Sequence, residues 1–129
     1  MEIASLVTRA VLTVEAHDLL RDAAIWMMER GVGSAVVMDD GQPLGVITDR
    51  DALRVIARGE DPAVVTAGAC MLKTVKTVPP SLEVVEAAQV MRDKGFRHLV
   101  VVDEHGSLFG VFSMRDLVVG LLQERKALA

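Results

Sequence analysis

Cysteine occurs once in this 129-residue chain, at Cys70, so no disulfide can form within it and a reducing, cytoplasmic compartment is expected. Aromatic residues supply only 3% of the chain while 51% of it is hydrophobic, which leaves Val, Ala, Leu, Ile and Met to fill the interior. An excess of cationic charge is missing as well, the formal net charge being −4. That argues against nucleic acid as a partner, because such affinity leans on many Lys and Arg contacts to phosphates. No apolar run reaches the roughly 18 to 20 residues of a membrane span, and MEIASLVTRA lacks the basic stretch and apolar core of a signal peptide. A soluble protein without a membrane partner is expected. No set of His, Cys, Asp and Glu has metal-site spacing, and no nucleophile with its base, nor any carboxylate pair, stands at a fixed interval. No structural zinc and no enzymatic activity are therefore expected.

What the chain does contain is a stretch that occurs twice. Gly45 to Leu53 reads GVITDRDAL and Gly110 to Val118 reads GVFSMRDLV, so that Ser113, Arg115 and Asp116 stand where Thr48, Arg50 and Asp51 stood. Each copy puts a hydroxyl, a guanidinium and a carboxylate around the start of a helix, where unpaired N–H groups and the macrodipole favour an anion. A phosphate with a ribose attached suits both ends of that arrangement. The duplication extends further: setting Val14 on Val78 also pairs Ala23 with Ala87, Met27 with Met91, Gly31 with Gly95 and Asp39 with Asp103. One extra residue in the second turn restores the phase for Gly45 on Gly110 and Asp51 on Asp116.

Periodicity gives both halves the same order. Ala10 to Val14 has the content of a short strand, and His17 to Arg30 carries apolar residues at spacings of three and four, with Asp18 or His17 at its start and Gly31 at its end. Ser34 to Met38 and Leu44 to Thr48 read as strands around a turn, and Asp49 to Arg58 as a helix closed by Gly59. Gly59 to Pro62 is the connector, leading through a short helix or loop at Ala63 to Lys73. The second round then runs as strand Thr74 to Val78, a rigid Pro79-Pro80 turn with Ser81 as N-cap, helix Ser81 to Lys94, strands His98 to Val102 and Leu108 to Phe112, and helix Met114 to Glu124. The repeats are assigned to residues 1–62 and 63–129, with one shared hydrophobic core as the default for this length. A mean hydropathy of +0.37 leaves apolar surface for self-association, with a homodimer expected.

On these residues the chain resembles a stand-alone pair of tandem CBS domains, the arrangement called a Bateman module. The supporting features are the element order, the glycine-terminated first helix and the Gly-h-h-[Ser/Thr]-x-x-Asp close, in two in-phase copies. The resemblance implies an α/β (α+β) fold in which two repeats of strand-helix-strand-strand-helix order pack through their sheets with pseudo-two-fold symmetry and leave two clefts. It also implies a regulatory module that takes an adenosine-containing ligand there: AMP, ADP, ATP or S-adenosylmethionine. By matching position, Asp51 and Asp116 would meet the ribose hydroxyls, and Thr48 and Ser113 ribose or phosphate. Adenine would be met by Thr13, Val14, Thr77 and Val78 on the leading strands and by the strand starts at Ser34 and His98. Independent of the family, a carboxylate accepts from two vicinal hydroxyls, and Arg50, Arg97 and Arg115 offer forked donors to phosphate.

The same residues have plainer readings. Thr48-x-x-Asp51 and Ser113-x-x-Asp116 are also the signature of a helix capping box, and a cap can face a cleft without losing its first role. Arg50 and Arg115 also fit solvated first-turn charges, and His98 a neutral structural histidine. Trp26 with Met27 and Met28 reads as core or dimer surface, and Cys70 as a small buried hydrophobe. Gly33-Ser34 occupies the place of Arg97-His98, so the two clefts are chemically unequal and at most one is expected to bind tightly. The alternative to ligand sensing is a ligand-free dimerisation or docking module for a regulated protein that the chain does not identify.

Overall fold

The glycine-stopped apolar segments become helices and the β-branched runs become strands in a computed structural model describing residues 1–71 and 76–128, with side chains given for those residues up to 125. Two compact units result, Val11–Thr74 and Met1–Ala10 with Val75–Ala129. Each has its own buried cluster, so the expected single core is replaced by two. The reason lies in size: each repeat supplies only three strands and a few helices, enough to close one small sheet-and-helix core.

In the unit Val11–Thr74, β1 (Thr13–Glu15) lies parallel to β2 (Ser34–Asp39), which pairs antiparallel with β3 (Gln42–Thr48). The β2–β3 loop is only Asp40-Gly41, with φ of 50° and 76°. Two consecutive positive φ values make a tight hairpin turn whose twist suits the flanking strands, and Asp-Gly tolerates them best. The helix α1 (Leu20–Arg30) buries Leu20, Ala23 and Met27, and ends on left-handed Gly31. Helix α2 (Asp49–Ala57) buries Val55, and α3 (Ala67–Cys70) buries Ala67. These side chains close over Val14, Ala35, Val37 and Ile47 from the sheet.

The other unit repeats the plan. Strand β4 (Thr77–Val78) runs parallel to β5 (His98–Val102), which pairs antiparallel with β6 (Leu108–Ser113). The residues Leu72, Lys73, Thr74 and Val75, which belong to the end of the short helix or loop expected at Ala63 to Lys73 and to the start of the strand expected at Thr74 to Val78, lie outside the described residues. Helix α4 (Val84–Lys94) stops at left-handed Gly95, and α5 (Met114–Leu128) follows β6 directly. The longer β5–β6 turn is organised by Asp103, whose Oδ1 accepts from the N–H groups of His105 and Ser107 at 2.9 and 3.0 Å.

Relative to the 1–62 and 63–129 repeats, the units exchange leading segments. The first ten residues belong with the second repeat, where Ile3 is fully buried and Thr8 and Val111 exchange two backbone hydrogen bonds of 3.1 Å. A Cβ on Gly110 would collide with the Thr8 carbonyl oxygen, so this crossing needs a residue without a side chain. The corresponding segment of the second repeat, α3, belongs with the first.

This exchange explains where two helices begin. Leu19 is extended and bridged to Thr66, and the Leu20 and Arg21 N–H groups donate to the carbonyls of Val65 and Pro62 at 2.8 and 3.0 Å. Helix α1 therefore starts at Leu20 rather than at His17 or Asp18, and Asp18 instead accepts from the Glu15 N–H at 2.8 Å. Likewise Glu83 bridges Glu2, and Val84 donates to the Met1 carbonyl at 2.9 Å. The N-cap of α4 is thus Glu83, not Ser81.

Candidate functional site

Both copies of the repeated stretch form the same corner. Thr48 ends β3 opposite Ser34, the first residue of β2. The chain then turns into α2, and the Asp49 N–H donates to the Gly33 carbonyl at 3.0 Å. In the other unit Ser113 ends β6 opposite His98, and the Met114 N–H donates to the Arg97 carbonyl at 3.0 Å. Strand register thus brings Ser34 to Thr48 and His98 to Ser113. The leading strands lie one strand further off, with Thr13 beside Val36 and Thr77 beside Val100, so Thr13-Val14 and Thr77-Val78 are sheet neighbours of the β2 and β5 starts rather than direct partners of the motif. Thr13 and Thr77 are exposed, while Val14 and Val78 point into the cores.

The carboxylates turn back onto the corner. Asp51 Oδ2 accepts from the Thr48 N–H at 2.7 Å and from the Thr48 hydroxyl at 3.1 Å. Asp116 Oδ2 accepts from the Ser113 N–H at 2.8 Å and its hydroxyl at 3.0 Å, and the Ser113 Oγ accepts from the Asp116 N–H at 3.2 Å. Both pairs are therefore capping boxes, which satisfy donors that a helix start would leave unpaired. They also hold hydroxyl and carboxylate in contact, at the positive end of a helix macrodipole. Arg50 and Arg115 stand exposed in the first turns, and Arg97 is exposed at the base of β5.

The two corners differ in one group that the sequence reading passed over. Arg54 Nη1 donates to Asp51 Oδ1 at 2.8 Å, and Asp51 is fully buried while the Arg54 side chain keeps 43% of its surface exposed. The signal for this bond was available: an arginine three residues after an aspartate on a helix shares its face. The matching position in the second copy is Val119, which has no donor to offer. Asp116 is only partly buried, and among the described residues its Oδ1 receives no hydrogen bond.

Titration follows burial. Burial lowers the His98 pKa below the ordinary imidazole value, the Arg97 charge adds to that, and Asp116 opposes both. His98 is therefore neutral at pH 7. Burial, followed by the negative charge of Asp51, raises the Cys70 thiol, which donates weakly to the Ala67 carbonyl. Such a thiol is a poor nucleophile. A cavity of about 570 Å³ opens on the Arg54 side of α2, where Asp51, Arg54, Arg58, Glu60, Thr66 and Cys70 are among its lining residues; it touches the motif through Asp51, and neither Thr48 nor Ser34 lines it. Among the described residues, no helix is long and apolar enough to cross a membrane.

The chain matches the CBS domain twice, over residues 3–58 and 67–122. An uncharacterised protein of Methanopyrus kandleri is 38% identical over 112 residues, covering 85% of this chain and 57% of its own length. A CBS domain-containing protein of Bacillus subtilis is 31% identical over 121 residues, covering 93% of this chain and 85% of its own. Among solved structures, a CBS domain protein of Pyrobaculum aerophilum complexed with AMP superposes with a TM-score of 0.84 at 30% identity, covering 95% of this chain and 97% of that one.

Proposed function

Because the chain belongs to the CBS domain family, we propose that it is a regulatory module that binds an adenosine-containing ligand through its two hydroxyl-carboxylate corners. The observation that carries this reading is the identical construction of both corners: Thr48 with Asp51, and Ser113 with Asp116, each presented where a strand enters a helix. In this reading Asp51 and Asp116 accept the ribose hydroxyls, and Thr48 and Ser113 reach ribose or phosphate. Arg50, Arg97 and Arg115 attract phosphate oxygens, and Thr13, Val14, Ser34, Thr77, Val78 and His98 border the base. The AMP held by the Pyrobaculum relative supports the choice of ligand class, within which AMP, ADP, ATP and S-adenosylmethionine remain the candidates.

The module binds without turnover, since a carboxylate already committed to a helix cap is a poor general base. Binding controls a partner only if the ligand prefers one arrangement of the protein over another. Self-association supplies such an arrangement. Leu53 and Ile56 on α2 are 64% and 61% exposed, and their counterparts Val118 and Leu121 on α5 are 51% and 41% exposed. Matching apolar stripes on equivalent helices favour a homodimer in the cytoplasm, built on these faces. They equally favour the second reading, a ligand-free dimerisation or docking module.

A thermal-shift panel with AMP, ADP, ATP and S-adenosylmethionine separates the two. A ligand at 100 times its Kd should add about 2.7 kcal/mol to stability, which raises the melting temperature by several degrees. A flat response across the panel at millimolar ligand leaves only the docking module.

A further inference from the structure

Resting on the adenosyl-ligand reading, we propose that Arg54 occupies the first carboxylate in place of a ligand, so that the Asp116 corner is the tight site and takes a nucleoside phosphate. All three donors on Asp51 are internal: two from Thr48 on Oδ2 and the Arg54 guanidinium on Oδ1. A carboxylate that is fully buried and already bonded on both oxygens is shielded from a vicinal diol by the groups it holds, Arg54 on the Oδ1 side. Ribose must first displace Arg54. At Asp116 both internal donors converge on Oδ2, and Val119 stands where the displacing guanidinium would be. Its Oδ1 receives no hydrogen bond among the described residues, and the side chain is only partly buried.

Losing a charge-assisted hydrogen bond from a part-exposed arginine before gaining one with ligand weakens the first corner by about fivefold relative to the second. The surrounding charge points the same way. Arg97 and Arg115 both belong to the second corner and neither is bonded to its aspartate among the described residues, whereas the first has Gly33 in the place of Arg97, and its Arg54 is committed to Asp51. Two guanidinium groups favour phosphate oxygens and disfavour the sulfonium cation of S-adenosylmethionine.

Isothermal titration with AMP tests the clamp on wild type and two reciprocal variants. Wild type should bind one AMP per chain tightly. Val119→Arg, at a position 40% exposed and therefore able to hold the longer side chain, should weaken that event by about fivefold. Arg54→Val should leave it intact and add a second binding event. The substitution at Val119 keeps the test decisive if Arg54→Val fails to fold. Two equal sites in wild type, or AMP affinity unchanged by Val119→Arg, overturns the clamp while the nucleotide reading stands. No binding of AMP by any of the three proteins overturns the nucleotide reading and the clamp with it.

Discussion

Replacing each motif aspartate by alanine should destabilise the protein unequally, and the inequality follows from the hydrogen bonds. Asp116→Ala removes a helix cap, a loss of about 1 kcal/mol and seldom above 2. Asp51→Ala removes the same cap from Thr48 and also the bond from Arg54. A hydrogen bond to a charged group is worth about 1.5–3 kcal/mol. The 43% exposure of the Arg54 side chain lets water solvate it once freed, which reduces that contribution to about 1 kcal/mol. The expected totals are thus about 2 kcal/mol for Asp51→Ala and about 1 kcal/mol for Asp116→Ala. Urea denaturation followed by circular dichroism reads the difference directly: with a slope of about 1–3 kcal/mol/M, the Asp51 variant should unfold at a midpoint lower by roughly 0.3–1 M than the Asp116 variant. Equal midpoints, or a larger loss at Asp116, would mean that the Arg54 contact contributes nothing, and the reasoning about unequal corners would fail.

Other perturbations probe separate parts of the fold. Gly110→Ala should cost about 1–3 kcal/mol and expose Met1–Ala10 to proteolysis, because the new Cβ meets the Thr8 carbonyl; unchanged protease resistance would refute that crossing. His98 has a folded pKa below its unfolded one, so its contribution is complete above the unfolded value near 6.5 and is lost as pH falls towards the folded value. Wild type should therefore lose more melting temperature than His98→Gln between pH 7.5 and 5.5, and parallel losses would contradict it. Ile56→Asp with Leu121→Asp should convert a dimer to monomer in size-exclusion chromatography with light scattering, and an unaltered mass would dissociate those faces from assembly. Cys70 should react slowly with a thiol reagent at pH 7 until the protein is unfolded, so rapid native labelling would contradict its raised pKa.

Much of this architecture is legible in the chain because local signals decide it. The run His98 to Val102 forms exactly the strand its β-branched content implies, and Gly31 and Gly95 stop their helices in the left-handed conformation. What local reading misplaces is set by distant segments. Ser81 is a good cap in isolation, yet the Pro80 and Leu82 carbonyls accept from the Ala4 and Ile3 N–H groups at 3.0 and 2.8 Å, which keeps residues 80–82 out of the helix. The same applies at Leu19, held by Thr66. Dividing the interior into two cores was equally hidden, since apolar periodicity tells which face is buried but not against which segment. At the corners the Ser/Thr-x-x-Asp spacing implies a capping box, and that is the contact the hydrogen bonds display. The Arg54 bond is legible as an i,i+3 pair with Asp51, but the same spacing fits a solvated charge, and only the burial of Asp51 distinguishes the two.

The measurement closest to the central claim is equilibrium titration of AMP into wild type and Asp116→Asn, a variant that keeps the side-chain shape while removing its charge. Saturable binding to wild type, weakened at least tenfold in a variant whose circular dichroism spectrum is unaltered, is the expected result. Binding of equal strength to both proteins, or to neither, would contradict the claim that these hydroxyl-carboxylate corners exist to hold an adenosyl ligand.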